Sequence, residues 1–147
     1  MQEAKITVIS TVKSGIQADR METVSVGSYA EKGGRFYVRY EETEASGMEG
    51  CTTTLKWSGD AVTLLRHGTY ELCQEFKTGG ICRGIYRTPY LTIPLETRTH
   101  KALARKTEFG WKLLLAYKMI VGEQDESFIH LEIRIDLRAS EDCSVNF

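Results

Sequence analysis

Alternation of apolar and polar positions dominates the chain. "KITVISTV" sets Ile6 and Val8 on one side, with Thr7 and Thr11 on the other. "ETVSVGSY" brings Val24 and Val26 together. After Gly33 and Gly34, "RFYVRYEE" places Phe36, Val38 and Tyr40 opposite Tyr37, Arg39 and Glu41. "CTTTLKW" sets Cys51, Thr53, Leu55 and Trp57 against Thr52, Thr54 and Lys56. "TYELCQEF" sets Tyr70, Leu72 and Phe76 against Glu71, Cys73 and Glu75. "WKLLLAYKMIV" aligns Trp111, Leu113, Leu115, Tyr117 and Met119. "FIHLEIRIDL" is the cleanest case, with Ile129, Leu131, Ile133, Ile135 and Leu137 facing away from His130, Glu132, Arg134 and Asp136. A period of two, filled by β-branched and aromatic residues, predicts half-buried strands.

The breaks between these runs carry turn residues. Ser58-Gly59-Asp60, Thr78-Gly79-Gly80 and the stretch 122–126 each supply chain reversals. Strand after strand joined by short turns reads as an antiparallel sandwich or barrel. "AVTLLR", "ICRGIYRT" and "LTIPLETRT" extend the series to about eight to ten strands. Pro94 falls inside the last of these, which predicts a sheet edge or a bulge there. Arg98–Phe109 admits either a short helix or strand, turn and strand. Extended structure is favoured, because a short isolated helix is marginal without a strong apolar face. Residues 1–138 form the expected domain, and the non-periodic tail 139–147 is expected to fray.

With 147 residues the chain is long enough to bury roughly 70% of the surface it exposes unfolded. Nineteen Lys and Arg balance twenty Asp and Glu, which argues against general electrostatic binding of nucleic acid. No apolar run approaches the roughly 20 residues of a membrane-spanning helix. "MQEAKITVIS" lacks a basic segment followed by an apolar core, so a signal peptide is not expected and a cytoplasmic location is. Cys51, Cys73, Cys82 and Cys143 form no CxxC pair and no zinc-like spacing with histidine. They are expected to be free thiols packed as small hydrophobes, with no metal and no cofactor.

Three stretches invite a chemical reading. Arg66-His67-Gly68 is the tripeptide with which histidine phosphatases begin their phosphate pocket. That chemistry needs parallel strands with helical crossovers of a dozen or more residues, and here only about three residues precede the next strand. The tripeptide therefore reads as a strand end and hairpin turn, and the chain as a non-enzyme. "KGGRFYVRY" has the aromatics of an RNA-stacking strand but none of the helices that such a module needs. Finally, Glu42 continues the face of Phe36, Val38 and Tyr40, and Arg66 continues the face of Val62 and Leu64. Two opposite charges thus end two apolar faces. If both point inward they pair with each other or with a ligand, since a buried unpaired charge is costly. Tyr40, Tyr86 and Thr97 supply further polar groups to the same interior.

Four pieces stand in a recognisable order: "YVRYEET", "LLRHGTYELCQEFKTGG", "YRTPYLTIPLET" and "WKLLLAYKM". In this order and spacing the chain resembles the YwiB-like family of uncharacterised bacterial proteins from Tyr29 to Leu137. One departure is Leu91, where the family tends to have glycine after the aromatic matching Tyr90. The resemblance implies a calycin-type barrel, akin to lipocalins, and implies no catalytic residues. The expectation is thus an all-β, single-domain, antiparallel up-and-down β-barrel (calycin/lipocalin-like). Barrels of that kind hold one small ligand, which here would be partly apolar and meet Tyr40, Glu42, Arg66, Phe76, Tyr86 and Thr97. The alternative is a protein-interaction or homodimerisation module without a ligand. Partners among nucleic acids or membranes are not expected.

Overall fold

The computed structural model describes residues 2–122 and 125–138, so the tail 139–147 lies outside the described residues. Ten strands follow one another: β1 (Gln2–Ser14), β2 (Gln17–Lys32), β3 (Arg35–Glu41), β4 (Cys51–Ser58), β5 (Ala61–Gly68), β6 (Leu72–Phe76), β7 (Ile81–Arg87), β8 (Thr92–Lys106), β9 (Gly110–Val121) and β10 (Asp125–Asp136). A short 3-10 turn, Glu44–Ser46, interrupts the β3–β4 connection. Every strand pairs antiparallel with its neighbour in sequence except β6 with β7. The first and last strands pair as well, from Lys5 with Asp136 to Lys13 with Phe128. The sheet therefore curls into a nearly closed up-and-down barrel, one of the two architectures that the alternation allows and the one that the family resemblance implies.

Each inward face is the apolar set read from the sequence. Val38, Leu55, Trp57, Val62, Leu64, Phe76, Leu113, Leu115, Ile129, Ile133 and Ile135 are all buried in one core. Full burial of a side chain of this size contributes about 1.5–3 kcal/mol. β2 departs from the pattern. Val24 and Val26 share a face, but that face is outward and both are more than half exposed. In the middle of β2 the inward positions, Thr23, Ser25 and Gly27, carry small residues because the space is taken. A Cβ on Gly27 would strike the Arg39 carbonyl and crowd Ile6 and Tyr40.

The segment 98–109 is strand, turn and strand: β8 runs to Lys106 and β9 starts at Gly110. A bulge does occur in β8, but at Thr99–Lys101 rather than at Pro94. Pro94 pairs with Ile85 and sits just before the β9 ladder, which begins at Leu95. There its missing N–H breaks no bond to β9, and its carbonyl still accepts from Gly122 N–H at 2.8 Å.

The seam lies between β6 and β7. Glu71 and Arg87 exchange two backbone bonds of 2.9 Å, the only bridge there among the described residues. Beyond it the bulged half of β8 meets turns instead of a strand. Thr99 bonds to Gly79 and Gly80, the Thr78 hydroxyl to the Ala102 backbone, and the Asp60 carboxylate accepts from Ala104 N–H. One end of the barrel is filled by aromatic rings. Trp57 lies 5.9 Å from Phe36 and 5.5 Å from Trp111, with Tyr29 beside them.

Candidate functional site

At the other end of the interior the inward faces turn polar. Cross-strand register lines up Tyr40 with Thr53 and Thr53 with Arg66, so three neighbouring strands present one polar row. Glu42 prolongs β3 inward, held by its N–H bond to the Cys51 carbonyl at 2.9 Å. The Thr53 hydroxyl donates to Glu42 Oε1 at 2.7 Å, and Arg66 Nε donates to Thr53 Oγ1 at 3.3 Å. Arg66 Nη2 stands 3.5 Å from Glu42 Oε1. The two charged side chains keep only 17% and 6% of their surface exposed. The ion pair expected from the sequence therefore forms, with Thr53 between its members. Thr53 was legible as an inward position but not as a linker. Only its register opposite both Tyr40 and Arg66 identifies it.

Beside the pair is a cavity of about 250 Å³. Tyr40, Glu42, Arg66, Tyr86, Gln74 and Tyr117 supply its polar lining, and β1, β9 and β10 supply aliphatic walls including Val8, Met119 and Ile133. Ser46 and Met48 reach it from the β3–β4 connection. Of the six residues predicted from sequence, Tyr40, Glu42, Arg66 and Tyr86 line this space. Phe76 and Thr97 do not. Phe76 is buried against Tyr117, ring centroids 4.7 Å apart, and Thr97 accepts a hydrogen bond from Gln74 Nε2 at 3.1 Å. Both support lining residues from behind. Gln74 and Tyr117 are among the lining residues beyond the predicted six. Gln74 shares the alternation of Leu72 and Phe76, and a polar residue within an apolar face was the signal.

The site's electrostatics follow from burial around one cation. Burial pushes the Tyr40 phenol above its usual range, and the Glu42 charge adds to this while Arg66 opposes it. Burial also raises Tyr117 and Tyr86, each again countered by Arg66. All three hydroxyls stay protonated at neutral pH and keep their O–H donors. The Tyr117 hydroxyl and the Gln74 side-chain carbonyl have no hydrogen-bond partner among the described residues.

Arg66-His67-Gly68 separates into three roles. Arg66 points inward. His67 is exposed at the end of β5, pairs in register with Thr52, and places Nδ1 2.8 Å from Glu71 Oε1. Gly68 takes φ 130°, and a Cβ there would run into the Gly50 carbonyl. Nearby, the buried Cys51 thiol bridges the Tyr70 backbone, donating to its carbonyl and accepting from its N–H. The turn after Tyr86 is closed by Thr88, whose Oγ1 accepts from the N–H groups of Tyr90 and Leu91. Leu91 thus occupies its place without positive φ. Cys51, Cys73 and Cys82 are free thiols; Cys51 is buried as expected, but Cys73 is exposed and so is not packed as a small hydrophobe, and Cys143 lies outside the described residues. Among the described residues no cluster of three or more His, Cys, Asp or Glu is placed to hold a metal ion, and no helix is long and apolar enough to cross a membrane.

Comparison with known proteins agrees with this architecture. Over 136 residues the chain is 29% identical to the uncharacterised β-barrel protein YwiB of Bacillus subtilis (strain 168), covering 90% of this chain and 93% of that one. The crystal structure of the ywiB protein from Bacillus subtilis superposes with a TM-score of 0.77 at 22% identity, covering 90% and 91% of the two chains. The model of a domain of unknown function, DUF1934, matches residues 6–133, so the chain belongs to that family of β-barrel proteins, as the order of its motifs implies.

Proposed function

We propose that the protein binds a small, partly apolar molecule inside the barrel, beside the Glu42–Arg66 pair. The observation that carries this reading is a cavity of about 250 Å³ with aliphatic walls and, on its lining, a Tyr117 hydroxyl that makes no hydrogen bond within the described residues. Packed interiors leave few voids larger than a water. A space of this kind, with a few convergent polar groups, is the usual form of a ligand site. The calycin-type architecture implied by the family resemblance is in keeping with it. In this reading the protein is a cytoplasmic binder that carries out no reaction and needs no metal, nucleic acid or membrane.

Native mass spectrometry of the protein purified from its own host tests the reading. The expected spectrum shows added mass that is released on denaturation and is absent from Met119→Trp, which fills the cavity. A spectrum of the bare chain alone, in both proteins, counts against it.

A second reading is favoured by one surface. Ile81, Ile85, Tyr90 and Leu91 are all exposed along β7 and its turn into β8. Exposed apolar residues grouped on one edge of a sheet mark contact surfaces, and a homodimer or a protein partner would cover them. Sedimentation of wild type and of Ile85→Ser/Leu91→Ser distinguishes this. A concentration-dependent dimer that the double substitution dissolves favours it, and strict monomers in both count against it.

A further inference from the structure

We infer that the cavity selects a neutral molecule, and that Glu42 sets this choice by cancelling the charge of Arg66. The inference rests on the binding reading above and names the chemistry of its ligand. Glu42 and Arg66 are the only charged residues lining the cavity among the described residues. They already form one pair, 3.5 Å apart and largely withdrawn from water. An anion entering beside Arg66 meets the Glu42 carboxylate, and a cation entering beside Glu42 meets the guanidinium. Neither finds an unshared counter-charge, and an uncompensated charge in a low-dielectric interior is costly.

The groups left over are uncharged. Tyr117 and Tyr86 offer hydroxyls, and neither makes a hydrogen bond within the described residues. The Gln74 side chain has spent its amide N–H on Thr97 and Met119, which leaves its carbonyl oxygen as an acceptor. A ligand end that both accepts from tyrosine and donates to glutamine satisfies these groups together. A primary amide or an alcohol does so, and a carboxylate lacks the donor. The aliphatic walls of β1, β9 and β10 then take a compact apolar body.

Three probes of similar shape separate the possibilities: benzamide, benzoate and benzylamine, titrated into the full chain while the NMR signals of Met21, Met119, Ile129 and Ile133 are followed. Wild type is expected to bind benzamide at least about tenfold more tightly than either charged probe. Glu42→Gln leaves Arg66 as the only charge, and benzoate is then expected to overtake benzamide. Glu42→Gln/Arg66→Gln is neutral again and is expected to restore the benzamide preference, which keeps the test decisive if the single variant does not fold. A wild type that prefers benzoate or benzylamine overturns the inference while the binding reading stands. So does an unchanged ranking in a folded Glu42→Gln. No response to any of the three overturns both.

Discussion

Trp111 on β9 donates its indole N–H to the hydroxyl of Tyr29 on β2 at 3.2 Å, although β1 and β10 separate the two strands in the sheet. The bond crosses the interior within the aromatic end and ties two non-neighbouring strands together there. Trp57, buried between Phe36 and Trp111, is the packing centre of that end. Trp57→Ala is expected to lower stability by about 3–5 kcal/mol. Trp111→Phe keeps most of the packing and is expected to lose only about 0.5–1.5 kcal/mol with the hydrogen bond. Urea unfolding followed by the fluorescence of the remaining tryptophan measures both.

At the polar end, removing one partner of the ion pair is expected to be worse than removing both. Arg66→Gln leaves the Glu42 carboxylate buried without its cation, a loss of about 3–5 kcal/mol. Glu42→Gln/Arg66→Gln is expected to recover most of that loss. A double-variant cycle in urea checks it, and additive losses would show that the pair is not coupled.

The turn reading of Arg66-His67-Gly68 has a sharp contrast built into it. Gly68→Ala places a Cβ against the Gly50 carbonyl at a backbone angle that only glycine adopts easily, and is expected to cost at least about 1–3 kcal/mol. His67→Ala removes an exposed side chain and its surface contact with Glu71, and is expected to stay within about 0.5 kcal/mol of wild type. Thermal unfolding of the two variants side by side decides whether glycine or histidine matters here.

The buried tyrosines set an alkaline limit. Tyr40 and Tyr117 hold their protons more tightly when folded than when unfolded, where a phenol titrates near 10. Their contribution is fully present below about pH 10 and is lost as pH rises towards the folded-state values. Stability is therefore expected to fall progressively above about pH 10. Part of the tyrosinate absorbance is expected to appear only as the protein unfolds. A smooth titration of every tyrosine in the native state would contradict this.

Much of the fold is legible in the alternation because one face of each strand is core and the other is water. β10 shows this in full from Ile129 to Asp136, with four aliphatic positions inward and four polar ones outward. β2 was not legible in the same way. Its valines point outward because Gly27 must let Ile6, Tyr40 and the Arg39 carbonyl approach, a constraint imposed by neighbours more than ten residues away. The site was half legible for a related reason. Glu42 and Arg66 stand out as charges on apolar faces, and their pairing follows from the cost of burying either alone. Phe76 and Thr97 share the inward faces equally, yet curvature puts them behind Tyr117 and Gln74. Periodicity gives the side of the sheet but not the depth along the barrel.

The seam has a consequence for how the barrel forms. β6 and β7 share a single bridge, but a turn of four residues, Lys77–Gly80, already holds them together, so little chain entropy is lost in keeping them adjacent. β1 and β10 stand at opposite ends of the chain and carry a continuous nine-pair ladder. The strongest closure thus falls on the pairing that takes the longest search, and the gap on the pairing that needs almost none. Pairing of the first and last strands raises the contact order of the barrel and is expected to slow its folding.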